Sequence, residues 1–329
     1  MTLTRIRLLP LIWLVLMLTP LLPGGETDYQ KLGHEHFFNL EYNEAITAYQ
    51  HLIRQAPLDP RPRNYLAVAV LYKELLRLGM LETSAFRGDT QFLDEKKPEP
   101  DPAARARFLS VLQQARDLAQ KGLERDPENF KLRYSLAVNY GLQANYQFMI
   151  EKSYLAALRN GSKANKQSRI LIRQHPELVD AYLVAGVYEY VVGSLPWAVR
   201  ALIAVGGIRG DKDKGKRYVA QVAREGTLAR DEARALLTIL LRLERKPVEA
   251  AEVLTSIIQD FPRNYVLHLE LAAMHLDADE KERALEVFRN VRRKVEANQD
   301  RFGRMPAPAR QALGRKIEQL EEELPLARN

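Results

Sequence analysis

The 329-residue chain is 46% hydrophobic and 28% charged, with 17 Gly, 17 Pro and no Cys. This composition can bury a continuous core and excludes a disordered chain. The missing thiols exclude disulfides, thiolate metal sites, cysteine nucleophiles and a lipidated N-terminal cysteine.

The first 25 residues read as a targeting segment. Arg5 and Arg7 precede an apolar run of 15 residues, Leu8–Leu22, interrupted by Pro10 and Pro20. A spanning helix needs about 20 residues, so the run reads as a secretory signal outside the fold. Its small-residue cleavage pattern, Gly24–Gly25, is weak, which leaves an uncleaved N-terminal anchor as the alternative. Either reading makes the chain exported, periplasmic or membrane-anchored and facing the exterior. Net charge is +7, from 49 basic and 42 acidic residues that are interspersed as on a solvated helical surface. With an exported start, nucleic acid is not an expected partner.

Residues 26–59 set the architecture. Tyr29, Leu32, Gly33 and His36 fall at i, i+3, i+4 and i+7, one face of a helix. Ala45, Tyr49 and Leu52 make a matching stripe on a second helix. Gly33 and Ala45 are small where the two helices would cross, Tyr49 would fill the space beside them, and Pro57 ends the second helix because it has no N–H to donate. The twelve-residue interval from Ala45 to Pro57 recurs as Ala115 to Pro127, Ala164 to Pro176 and Ala250 to Pro262. No long stretch alternates apolar and polar residues, so few or no strands are expected.

Tyr29, Leu32, Gly33, Ala45, Tyr49 and Pro57 resemble one tetratricopeptide repeat (TPR), a 34-residue helix–turn–helix unit. His36 stands where the usual residue is Tyr. The resemblance implies an all-α, TPR-like α-solenoid of about six helix–turn–helix units, with insertions and a C-terminal capping helix. The units run about 26–59, 60–129, 130–178, 179–230, 231–264 and 265–298, followed by a linker and capping helix over 299–329.

Within these units, an insertion runs from about Gly79 to Pro102. Its charged, proline-rich end should be an exposed loop, with Phe86, Phe92 and Leu93 tacking the earlier part to the solenoid. A helix resumes over Ala103–Arg125. Phe130–Arg159 carries no turn signal and reads as one long helix ending at Gly161, with Ser162 capping the next. Ala181–Val192 is apolar nearly all round and should be buried. Ala307–Leu324 puts Leu313, Ile317, Leu320 and Leu324 on one face, which suits a cap over the last repeat.

Gly210–Arg217 satisfies G-x₄-G-K, but Arg217 stands where a nucleotide loop needs Ser or Thr, and Asp211 and Asp213 would repel phosphates. The stretch reads as a turn in which Asp211 or Asp213 caps the next helix. The wider segment Tyr190–Gly226, with Leu195-Pro196-Trp197, Gly206-Gly207, Gly210-Asp211 and Gly215, resembles TPR proteins linked to inclusion-body clearance at the mitochondrial outer membrane. Lys216 stands where those proteins have Leu. That resemblance supports a structural role for the loop.

Arg200, Arg209, Lys212, Lys214, Lys216 and Arg217 form a basic cluster, and Arg289, Arg292, Arg293 and Lys294 form a second. Arg209, Lys212, Lys214, Lys216 and Arg217 are the candidate anion contacts, for a ligand or for anionic headgroups at a peripheral membrane contact. The six histidines lack zinc-site spacing, and no nucleophile elbow or Ser-x-x-Lys set occurs. No catalytic residue, metal or cofactor is expected.

The function expected is a non-catalytic scaffold that binds a protein or peptide partner. Repeat phase places His34, Phe37, Phe38, Tyr134, Val138, Leu183, Val187 and Tyr190 on the concave face, where apolar anchors would hold an extended or helical peptide.

Overall fold

A computed structural model describes residues 28–81 and 99–326. The targeting segment and most of the insertion, including Phe86, Phe92 and Leu93, lie outside the described residues. Within them the chain is helical, without strands.

Six helix pairs follow one another. They are α1 (Tyr29–Phe38) with α2 (Tyr42–Gln55), α3 (Arg61–Arg77) with α4 (Pro102–Arg125), and α5 (Phe130–Met149) with α6 (Tyr154–Gln174). Next come α7 (Ala181–Ser194) with α9 (Lys212–Glu225), α10 (Arg230–Leu243) with α11 (Pro247–Asp260), and α12 (Tyr265–Asp277) with α13 (Lys281–Glu296). A short helix, α8 (Trp197–Ala204), interrupts the fourth pair. A 3₁₀ segment, Gln299–Arg304, leads into the terminal helix α14 (Ala307–Leu326). Each helix of these pairs packs on its neighbours in sequence, so the chain is a TPR-like α-solenoid.

The crossings follow from side-chain size. Ala45, Ala115, Ala164 and Ala250 are all buried, each on the second helix of its pair. A Cβ on Gly33 would lie 2.3 Å from Cε1 of Tyr49, so only glycine lets α1 and α2 approach this closely. In the fourth pair Gly215 takes the alanine position, since a Cβ there would lie 2.3 Å from the Tyr190 nitrogen. Pro57, Pro127, Pro176 and Pro262 each lie two residues past the end of α2, α4, α6 and α11.

The turns within pairs repeat as well. The N–H groups of Glu41, Met80, Lys246 and Glu280 donate to the carbonyls of His36, Leu75, Leu241 and His275, five residues earlier, at 2.8–2.9 Å. The residue before each donor is left-handed: Leu40, Gly79, Arg245 and Asp279. Side-chain caps start other helices, with Asp28, Asp101, Asn129, Asp211 and Asn264 each accepting an N–H of the first turn.

One expectation needs correction, and one feature lies outside the sequence reading. Phe130–Arg159 is not one helix: it breaks after Met149, and α6 begins at Tyr154. Lys152, with φ of 52°, makes the turn, and the Ser153 N–H bonds back to the Gln147 carbonyl at 2.8 Å. Gly161 and Ser162 consequently lie inside α6, where the Ser162 hydroxyl donates to the Leu158 carbonyl at 2.9 Å. Second, the stack does not stay open. The first pair meets the fifth and sixth pairs and the 3₁₀ segment, so the solenoid turns back on itself.

Candidate interaction surfaces

Closure decides what the inner face can do. The Asn264 side chain donates to the Phe38 carbonyl at 2.6 Å, and the Arg263 N–H donates to Asn39 Oδ1 at 3.0 Å. Phe38 stacks on Phe261 with ring centroids 4.6 Å apart. Polar groups lock the same seam. Glu41, with its side chain fully buried, receives Arg263 Nε at 2.9 Å and lies 3.2 Å from Arg301 and 3.4 Å from Arg304. His36 also bonds its carboxylate. Burial works to raise the Glu41 pKa, but the bonds from Arg263 and His36 and the nearby Arg304 outweigh it and hold the carboxyl below its ordinary range.

Phe37, Phe38, Tyr134, Val138, Leu183, Val187 and Tyr190 are therefore buried, not presented on an open groove. Phe37 packs edge-on against Tyr72, and Phe38 stacks on Phe261, because the neighbouring turns of the solenoid fill the space a peptide would need. His34 is half-buried and bonds Asp231 Oδ2 at 3.0 Å.

A polar centre sits within this closed wall. Glu232, at the start of α10, is fully buried, and its carboxyl finds no hydrogen-bond partner in another residue. The Tyr65 hydroxyl is unpaired in the same sense, and His34 Nδ1 lies 4.0 Å from Glu232 Oε1. Burial, reinforced by the nearby Asp231 and Asp180 carboxylates, pushes the Glu232 carboxyl well above its ordinary range. Sequence reasoning missed Glu232, because an acidic residue in the first turn of a helix is an ordinary surface feature. By contrast, one buried polar group of α3 is satisfied by α5: Asn64 donates to Ser135 and accepts from Asn139, which also takes a bond from Arg116.

The candidate anion contacts are largely engaged inside the protein. Lys214 pairs with Glu189 at 3.1 Å, and Lys212 and Lys216 pair with Glu244. Arg209 and Arg217 are both exposed. The glycines of the phosphate-loop look-alike serve packing. A Cβ on Gly210 would lie 2.6 Å from Val192 Cβ, and one on Gly193 would lie 2.3 Å from the Lys212 nitrogen. Asp211 caps α9 by accepting the Lys214 N–H at 2.9 Å. In the second basic run, Arg289 and Lys294 pair with Glu321 and Asp300.

Next to that loop, α8 carries no buried residue. Trp197, Leu202 and Val205 are 78%, 75% and 90% exposed.

The histidines serve structure. His36 and His275 bond Glu41 and Glu280, the same five-residue pairing in the first and sixth units. His51 stacks on Tyr29. Burial, with Lys294 nearby, draws His268 down to a pKa of about 4, so it is neutral near pH 7. Among the described residues no cluster of His, Asp or Glu is arranged to hold a metal ion.

The fold is a TPR-like α-solenoid. No protein-family model matches the chain, and no curated protein matches it in sequence. Among solved structures it is similar to TTC0263, a thermophilic TPR protein of Thermus thermophilus, at 17% identity and a TM-score of 0.40, covering 76% of this chain and 98% of that one. It is also similar to yeast Tom70, at 11% identity and a TM-score of 0.28, covering 90% and 88%. A third is the TPR domain of P58(IPK), at 13% identity and 0.26, covering 91% and 98%. The helix-pair assignment stands on the crossings and turns above.

Proposed function

We propose that the protein is a non-catalytic scaffold of the cell envelope that holds a segment of another protein against the inner face of its solenoid. Stacked helix pairs form concave surfaces that bind partners. The observation that carries the reading is Glu232. A buried carboxyl without a partner in another residue, close enough to Tyr49, Tyr65, Tyr72 and Tyr134 to act on them electrostatically, is a costly way to fill a core. An amide or ammonium group of a partner segment would satisfy it, while Phe38 and Phe261, freed from each other, would supply apolar contact. Entry requires the first pair to part from the fifth and sixth. The seam that must part is held largely by ion pairs and hydrogen bonds, groups that water can satisfy once exposed. The apolar N-terminal run supports the envelope location.

The test is a photocrosslinking residue placed at His34 and, separately, at Leu155 on the outer surface, in cells carrying the full chain. Partner adducts should form at His34 and increase when Glu41→Ala loosens the seam. Adducts found only at Leu155 would refute the inner-face reading.

A further inference from the structure

We propose that α8 and the turn after it form a wedge that enters the hydrocarbon edge of an anionic lipid bilayer. This goes beyond the scaffold reading and does not depend on it.

The case begins with what α8 fails to pack against. It takes no part in the principal helix–helix packings that build the solenoid, and none of its residues is buried. Yet Trp197, Val199, Leu202, Ile203 and Val205, with alanines between them, make it apolar around nearly its whole circumference, and Arg200 is the one charge. Other exposed apolar residues, such as Leu58, Leu155 and Val248, are dispersed along the surface in the ordinary way. A helix docking on a protein needs one apolar stripe. One that is apolar all round suits a medium that surrounds it.

The backbone fits the same medium. Hydrocarbon tolerates no orphaned N–H. At the tip, the N–H groups of Gly206 and Ile208 return to the Ile203 carbonyl, and that of Gly207 to Ala204, at 3.0–3.2 Å. Gly207, with φ of 77°, makes the reversal and carries no side chain to obstruct insertion. Eight residues of helix reach about 12 Å, within the roughly 15 Å of one hydrocarbon leaflet. The wedge would anchor in a single leaflet, and no helix among the described residues is long and apolar enough to cross a membrane.

Charge supplies the lipid class. No acidic residue occurs between Glu189 and Asp211, while the exposed Arg200 lies within α8 and the exposed Arg209 follows the turn after it. Their side chains can reach phosphate headgroups while the stems stay with the acyl chains. The attraction is thus assigned to Arg200 and Arg209, outside the lysines already paired with Glu189 and Glu244.

The chain has two tryptophans, so Trp13→Phe leaves Trp197 as the sole reporter in the full-length protein. Vesicles of phosphatidylcholine and phosphatidylglycerol in equal parts should shift its emission to the blue, and acyl chains brominated within one leaflet should quench it. Leu202→Ser with Val205→Ser should reduce the fraction of quenched Trp197 at least about tenfold, with helicity by circular dichroism unchanged. Arg200→Gln or Arg209→Gln should weaken binding about fivefold each, and less so at high salt. Because quenching reads the position of Trp197 itself, attachment by the N-terminal segment alone would leave its emission that of a water-exposed indole and would overturn the proposal. A blue shift that depends on protein concentration without vesicles would also overturn it, assigning α8 to a contact between copies of this chain.

Discussion

Tyr49 lies flat against the missing side chain of Gly33, and a Cβ at that position would sit 2.3 Å from its ring. The ring is buried and cannot swing away. Gly33→Ala should destabilise the fold by about 1–3 kcal/mol, measured by urea unfolding. Tyr49→Leu, destabilising alone, should remove part of the penalty when combined with Gly33→Ala, because the clashing ring is gone. Additive effects would mean that the crossing does not set the penalty.

The Glu41 seam should be sensitive to acid. Its folded carboxyl titrates below the unfolded value of 4.5, so its stabilisation is present above pH 4.5 and is lost as pH falls through the folded pKa. Arg263→Ala should cost about 1–3 kcal/mol, since Arg301, Arg304 and His36 still face the carboxylate that loses one bond. Glu41→Gln should flatten the acid limb of the thermal stability profile. A profile unchanged in shape would rule out this carboxylate as its source.

Glu232 has the opposite sign. Its folded pKa is raised, so its contribution is fully present below the unfolded value of 4.5 and is lost as pH rises through the folded pKa. Glu232→Gln removes the cost of keeping a proton on, or ionising, a buried acid. The variant should gain stability relative to the parent as pH rises, by about 1–3 kcal/mol at alkaline pH, and the gain should shrink below pH 4.5. Calorimetry across that range reads the difference, and a gain independent of pH would contradict it.

Arg245 closes the turn between α10 and α11 with φ of 59° on an exposed residue. Arg245→Gly should stabilise by roughly 0.5–1 kcal/mol, since relief of left-handed strain exceeds the added chain entropy. An unchanged or lowered melting temperature would show that the strain is not stored there.

The repeat was legible because small residues and prolines are local signals. Ala45, Ala115, Ala164 and Ala250 sit at fixed distances from helix-ending prolines, and the helices end where the spacing requires. Gly215 is the informative exception. It occupies the same position in the fourth pair, but its neighbours Asp211 and Gly210 made it look like part of a turn. The break at Lys152 carried neither Gly nor Pro, so nothing in the composition marked it. The recurrence of His and Glu five apart, His36 with Glu41 and His275 with Glu280, was readable and identifies two equivalent turns. Closure was not readable. His34 and Asp231 are separated by 197 positions, and neither has a pattern that names the other. Repeat phase assigned those residues to a concave face, but phase cannot show what covers them.

Because the first and last pairs hold each other, this array differs from one that frays from its ends. An open solenoid can shed a terminal repeat and lose only one interface. Here, detaching Tyr29–Gln55 also strips Phe261, Arg263 and Arg304 of their contacts, so damage at one terminus is felt at once at the other. Slow amide exchange should therefore extend into both end pairs instead of fading towards them, and deletion of either should unfold the whole molecule.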